Sequence, residues 1–373
     1  MKVVIIGAGV AGLAIGWRLA QQRVETIVLE RAQPGRGATW ASAGMLAAPG
    51  SRVNKTDGEA LLANRGAKLW PGFAAEIEEK SGRKIGYAAN GSLVVARTES
   101  EEHELERLAK LNAGELLGFD AAREIEPRIA SDTRTALWNP QQAKVDNRSL
   151  GRALAAAFVR AGGHLQLNEA AVRFEFQGDR MTGVRTPFAL HIADAYVIAA
   201  GAWSARIEGL PAEAVAPVVP VKGEMLALRA PLDQALPGPS IGGGNIYLVS
   251  QREQLLIGAT VERVGFDSRL SEKAYKWLLE EAVALLPCLS DWEVVEHWAG
   301  LRPGSPDDLP IVGACVPRLF VASGQYRNGI LYAPAIAETI TGMIMGEEVP
   351  KYFSAFDPRR FSTDAAYKTE HLE

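Results

Sequence analysis

Cysteine is scarce in this chain. Its 373 residues hold two, Cys288 and Cys315, with no CxxC spacing. That excludes a disulfide-stapled fold and a zinc ribbon. The five histidines (His103, His164, His191, His297 and His371) are scattered and give no metal-ligand spacing. Reduced thiols in a reducing compartment follow. Positive charge is not in excess either, since the formal net charge is −4. Nucleic acid and anionic membrane surfaces are therefore excluded as main partners. No uninterrupted apolar run of about 18 residues occurs. The nearest, VVIIGAGVAGLAIGWRLA at 3–20, is studded with glycines, interrupted by Arg18 and not preceded by a basic leader. The expectation is a cytoplasmic protein without a targeting segment and without stable membrane association. Repeats and low-complexity tracts are not evident. What remains is an ordinary globular composition, 47% hydrophobic and 23% charged, with a length that suggests two or more structural units.

Glycine is plentiful, and its first occurrences are ordered. Val3-Val4-Ile5-Ile6 is a β-branched apolar run that suits a strand covered on both faces. Gly7, Gly9 and Gly12 follow as G-x-G-x-x-G. A helical stretch runs from Val10 to about Gln22, with Leu13, Trp17 and Ala20 on one face. A second apolar strand, Thr26-Ile27-Val28-Leu29, ends at Glu30, 18 positions after Gly12 (30 − 12). Strand, glycines, helix, strand and acid in this order form a dinucleotide-binding unit. Gly7 makes the tight turn, Gly9 admits a pyrophosphate to the backbone, and Gly12 lets helix pack on strand. The helix N-terminus favours phosphate, and Glu30 is placed for ribose hydroxyls. Three glycines alone could merely make turns, whereas the complete ordered set is specific. It leaves FAD and NAD both open.

The next stretch separates the two cofactors. GRGATWASAGMLA (35–47) is small, apolar and almost free of long side chains. It resembles the flavin-contacting segment of the D-amino-acid oxidase superfamily, and most closely that of the glycine oxidases of thiamine biosynthesis. Ordered likenesses continue in YVIAAGAWS (196–204), PVKGEMLAL (220–228), NIYLVSQREQLLIGATVE (245–262), WAGLRPGSPDDLPIVG (298–313) and GQYRNGILYAPA (324–335). The resemblance implies noncovalent FAD. It places Gly7, Gly9, Val10, Ala11 and Gly12 at the pyrophosphate, and Glu30 and Arg31 at the ribose. Thr39, Ser42, Ala43, Gly44 and Met45 then lie against the flavin, and Val172 and Gly201 on the adenine side. Gly324, Tyr326, Asn328, Gly329 and Ile330 complete the cofactor set. The chain departs from the family at Ser250 and Gln251, where a proline and a basic residue are usual. It departs also at Gln325 for histidine and at Val261 for methionine. These four positions touch the substrate side.

The resemblance also implies an α/β fold, a Rossmann-like FAD-binding domain interleaved with an α+β substrate domain on a large, mainly antiparallel sheet. The FAD-binding parts are expected at 1–80, 146–215 and 297–361, and the substrate parts at 81–145 and 216–296, with a polar tail at 362–373. Prolines 211, 217 and 220 mark the passage into the substrate domain. The stretch 231–245, with three prolines and three consecutive glycines, reads as a loop between strands. VDNRSLGRALAAAFVRAGG (145–163) reads as an amphipathic helix begun near Asn147 or Ser149, and the chain is expected to return to the FAD domain around Trp298.

By the same resemblance Arg302, in GLRPG, holds a substrate carboxylate. Arg327, in YRNG, reaches the same group or nearby backbone, and the Tyr247 hydroxyl donates to it. A guanidinium suits this task because its planar fork binds carboxylate bidentately. Each residue also has a plain structural reading, as a loop arginine or a packed strand tyrosine. The implied reaction is hydride transfer from a small amino acid or amine to flavin N5, with water hydrolysing the imine. Molecular oxygen then reoxidises the flavin and yields hydrogen peroxide. No catalytic side-chain base is required. Glycine, sarcosine and small D-amino acids all fit. The alternatives are a dehydrogenase delivering electrons to a quinone or carrier, and a flavin-binding protein without turnover. A homo-oligomer is compatible with the family.

Overall fold

The computed structural model describes residues 1–46, 56–178, 180–210 and 216–361. The expected tail at 362–373, Pro211 and residue 47, the end of the small-residue stretch, lie outside the described residues.

Val3, Val4, Ile5 and Ile6 lie in β1 (Lys2–Ile6), shielded on both faces. Burying each such side chain contributes about 1.5–3 kcal/mol. β1 pairs in parallel with β2 (Glu25–Glu30) on one side and with strand Ala195–Ile198 on the other. Strand His164–Leu167 extends the sheet beyond β2, and strands Leu319–Ser323 and Ile311–Val316 extend it past Ala195–Ile198. α1 (Val10–Gln21) follows β1 through the glycine turn. Leu13, Trp17 and Ala20 are buried as the pattern requires, but so are Ala14, Ile15 and Leu19. Helices Asn147–Arg160 and Gly329–Met345 pack beside α1 as well as the sheet, so little of it meets water. Helix Asn147–Arg160 begins as expected, capped by Asp146, whose carboxylate accepts from Ser149 N at 2.9 Å.

A second sheet has eight strands in the order Glu293–Gly304, Val219–Arg229, Gln254–Gly258, Ile246–Gln251, Ser240–Gly243, Ser92–Ala96, Thr135–Asn139 and Glu115–Gly118. Neighbours are antiparallel except Ser240–Gly243 beside Ser92–Ala96.

Two local readings need correction. Gly242 and Gly243, expected in a loop, end strand Ser240–Gly243, while Gly244 turns the chain after it and the prolines lie in the connection before it. Glycine is needed in this strand because a Cβ on Gly243 would stand 2.5 Å from Leu285. Arg173–Gln177 pairs with Arg180–Arg185 in a separate three-stranded sheet that does not join the parallel one. Trp298 marks no return either. Strand Glu293–Gly304 stays paired with Val219–Arg229 along its length, and the chain rejoins the parallel sheet only at Ile311.

Strand Val219–Arg229 has two distinct faces, as the period of two requires. Gly223 and Met225 face the cleft between the sheets. Lys222 and Glu224 face helix Glu272–Leu285 instead. Lys222 Nζ lies 2.7 Å from the fully buried Glu224 carboxylate. The same carboxylate accepts from Ser271 N at 3.0 Å and lies 2.8 Å from His297 Nε2. Ser271 caps the helix through Ala274 N. Burial alone would raise the Glu224 carboxyl; the hydrogen bonds from Lys222 and Ser271 outweigh it and hold the group below its usual range. With the folded value below the unfolded one, the stabilisation is present above the ordinary carboxylate range and drains away as pH falls through the folded value. Glu224→Gln should therefore cost about 3–5 kcal/mol at neutral pH, because Lys222 loses its close partner. The deficit should narrow on acidification. Urea midpoints for both proteins between neutral and acid pH check this; a deficit that stays constant would contradict it.

Candidate active site

A cavity of about 1000 Å³ lies between the two sheets. The glycine turn forms one end. Gly7 has φ +102°, and a Cβ there would stand 2.5 Å from Ala199 O. A Cβ on Gly9 would meet nothing nearer than Thr39 Oγ1, at 3.7 Å, so this glycine leaves open space over the start of α1. Gly9, Val10 and Ala11 face the cavity. Val10 N donates to Thr39 Oγ1 at 3.0 Å, which ties the helix start to the small-residue segment. The Glu30 carboxylate accepts from Ala8 N and Ala32 N at 2.8 and 3.0 Å. It is thus fixed at the cavity edge, with Arg31 beside it.

The small-residue segment forms a wall, with α2 (Ala38–Ala41) at its start. Thr39, Ser42, Ala43, Gly44 and Met45 all line the cavity. The carbonyls of this segment are held from outside. Asn147 Nδ2 donates to Thr39 O and Trp40 O, both at 2.8 Å. Trp298 Nε1 donates to Ala41 O at 3.0 Å. Gln251 Nε2 donates to Ala43 O at 2.5 Å and to Val145 O at 3.0 Å. Val145 N donates to Gly44 O at 2.9 Å. Gly44 has φ +72°, and a Cβ there would stand 1.9 Å from Val145 O. A Cβ on Gly300 would stand 2.3 Å from that of Ala41. The segment is poor in side chains because neighbours press on it. Arg148 reinforces the wall: its guanidinium lies over Trp40 at 4.0 Å and pairs with Glu296 at 2.8 and 2.9 Å.

The opposite wall comes from the eight-stranded sheet. Arg302 lies flat across Gly223, where a Cβ would stand 2.2 Å from its Nη1. Nη1 donates to Lys222 O at 3.3 Å and Thr260 O at 3.1 Å. Among the described residues Arg302 has no carboxylate partner, and its Nη2 and Nε have no acceptor. Tyr247 spreads its ring over Gly258, where a Cβ would stand 2.6 Å from it. Arg327 is exposed at the cavity rim, 5.0 Å from the Tyr326 ring centroid. Tyr326 has φ +47° and donates its N–H to Pro303 O at 2.9 Å. Asn328, Gly329 and Ile330 line the cavity at the start of helix Gly329–Met345. Gly201 lines it as well.

Three expected contacts do not reach this lining. Val172 is half exposed, and both its backbone groups are taken, N–H by Arg185 O and C=O by Glu208 N. Glu169, Ala170 and Ala171 stand in its place. Gly12 lies behind Gly7, whose oxygen would be 2.0 Å from a Cβ there; its role is helix-to-strand contact. Gly324 packs against Ile311. The sequence departures prove structural in part. Ser250 donates to Pro237 O, Gln251 braces the wall, and Val261 and Gln325 line the cavity. Other lining residues went unremarked in the sequence, among them Arg36, Trp203, Gly223 and Trp277. Strand alternation puts Gly223 on the face of Met225, two residues on, but sheet register decides that this face meets the cavity.

The cavity fits FAD in its parts: open backbone at Gly9, an anchored acid at Glu30, and a wall of close main chain. Gln325 adds an observation of another kind. It is 6% exposed, and its Nε2 is buried without a hydrogen-bond partner among the described residues, as expected of an amide that a bound group completes. Neither cysteine lines the cavity. Burial pushes the Cys315 thiol up to about 12, so it carries no thiolate. No described helix is long and apolar enough to cross a membrane.

Residues 2–343 match the family of FAD dependent oxidoreductases known as DAO, and the chain belongs to it. It is an FAD-dependent oxidoreductase. It is 36% identical to a glycine oxidase of Geobacillus kaustophilus over 96% of each chain. It is 33% identical to the bifunctional protein ThiO/ThiG of Synechocystis, covering 97% of this chain but 54% of that one. The chain thus spans about half the length of such bifunctional relatives. The crystal structure of the Geobacillus kaustophilus glycine oxidase superposes with a TM-score of 0.88 at 33% identity, covering 95% of this chain and 98% of that one.

Gln251→Leu removes the donor shared by Ala43 O and Val145 O. It should cost about 1–3 kcal/mol, the penalty for buried carbonyls left unmet. Thermal melts with and without FAD check this, with the larger drop expected in the FAD-loaded protein.

Proposed function

We propose that this protein oxidatively deaminates glycine or a related small amino acid or secondary amine, releasing a 2-oxo acid and ammonia or an amine. One observation carries the reading: the Arg302 guanidinium, held on the cavity wall by two main-chain carbonyls, with its remaining N–H groups unmet among the described residues. Such a group binds a carboxylate in a fixed orientation. Bound FAD supplies the two-electron acceptor for the substrate's Cα–H. Gly223 lets the guanidinium lie close to the sheet, and carbonyls on two strands keep it from swinging. Tyr247 presents a hydroxyl with no partner among the described residues, suited to a second hydrogen bond to the carboxylate. Arg327 adds positive potential at the rim. The Trp277 side chain limits the space left for substituents, while Gly242 and Gly243 add no side chain to the lining. No histidine lines the cavity among the described residues, which suits a substrate bound as neutral amine. The glycine oxidase relatives support the choice of substrate class. Molecular oxygen is the proposed final acceptor, and the FAD is held noncovalently. The two sheets correspond to two interleaved domains, exchanging near residues 80, 145 and 215 and again after Gly304.

Anaerobic mixing with glycine, sarcosine, D-alanine, D-proline and L-amino acids should bleach the flavin with at least one of the first three. No bleaching by any amine would leave the reading without support. Arg302→Ala should lower kcat/KM about a hundredfold or more while FAD stays bound, the scale for losing one partner of a buried charge pair. Stopped-flow mixing of the reduced protein with air-saturated buffer should give rapid reoxidation; slow reoxidation would favour a quinone or carrier. Acid precipitation should leave the flavin in the supernatant.

A further inference from the structure

Four side chains from three stretches meet beside the cavity that Glu30, Glu169 and Ala170 help to line. The Arg31 guanidinium lies 3.6 Å from the Trp203 ring centroid. The Trp203 ring lies 5.6 Å from that of Phe266, tilted by 38°. The Arg206 guanidinium lies 5.4 Å from the Phe266 ring. Arg31 directly follows β2, and Trp203 and Arg206 belong to the short helix Gly201–Arg206. Phe266 comes from the other sheet, in the connection between strand Gln254–Gly258 and helix Glu272–Leu285. Gly265, at φ +61°, turns that connection, and Asp267 N closes it on Val264 O at 3.3 Å.

Guanidinium groups are attracted to aromatic faces, and tilted ring pairs are favourable. Nothing else competes for these groups: among the described residues, neither Arg31 nor Arg206 has a carboxylate partner. Arg31 and Trp203 line the cavity, whereas Phe266 and Arg206 do not. The glycine turn and the acid ending β2 define this end as the nucleotide end. We propose that Phe266, reaching over from the substrate sheet and engaged by Arg206, forms a strap that holds the Arg31–Trp203 stack against the adenosine half of FAD, and so sets how slowly the cofactor leaves. Phe266 is then a positioning residue, acting through Trp203.

The test uses the full chain loaded with FAD. Dissociation is followed by recovery of flavin fluorescence after dilution. ADP, which lacks the flavin, serves as a second probe on the apo-protein. Phe266→Ala should raise the FAD dissociation rate roughly tenfold and weaken ADP to a similar extent. Phe266→Tyr, which keeps the ring, should restore both. If Phe266→Ala does not fold, Arg206→Gln should still raise the rate about threefold. An unchanged rate in the variant that folds overturns the proposal. So does faster FAD release with ADP binding intact, because the effect would then lie on the flavin half.

Discussion

The fold converges on one constraint: the main chain from Thr39 to Gly44 has to stand edge-on between two sheets. Its carbonyls are met by Asn147, Trp298, Gln251 and the Val145 N–H. Those donors come from helix Asn147–Arg160 and its approach, and from two strands of the large sheet. The small residues follow from this crowding, since a side chain at Gly44 or Gly300 would collide with its neighbours. Asp146 belongs to the same junction. Burial would raise its carboxyl, but hydrogen bonds from Ser149 and Arg252 more than offset this and hold it low. The result is a wall of backbone whose position is fixed by both halves of the molecule.

The proposed carboxylate clamp, Arg302, depends on a similar arrangement. Arg302 is aligned by carbonyls and by the missing side chain at Gly223, not by an acid. A neighbouring carboxylate would have neutralised the charge that the site needs. The strand that carries Gly223 gives its other face to Lys222 and Glu224, which anchor the start of helix Glu272–Leu285. That helix brings Trp277 to the cavity. One strand therefore sets both the floor beneath the guanidinium and the placement of a ring across from it.

The nucleotide half was legible because its signals are local. A turn at Gly7, a packing contact at Gly12 and an acid at Glu30 each follow from nearby sequence, and their order is informative. The lining of the second half was less so. Gly223 and Trp277 reach the cavity through sheet register and helix docking, which periodicity alone does not define. Val172 falls just outside the lining, next to Ala171, because the chain leaves the parallel sheet at Leu167 and begins a separate hairpin. The Gly242–Gly244 run looked like a loop because glycine is poor in strands. Here close approach by Leu285 overrides propensity. Gln251 and Ser250 stood out as departures, yet their task is to meet backbone carbonyls.

That glycine run also bears on how this cavity could diverge. A methyl group on Gly243 would strike Leu285, and Gly244 holds a left-handed turn at φ +54°. Gly242 is different: a Cβ there would find Val94 at 3.4 to 3.9 Å, an ordinary contact. Of the three, only this position admits a graft without disturbing its surroundings. A methyl group there would narrow the cavity by one carbon, with only Val94 within 4 Å of it.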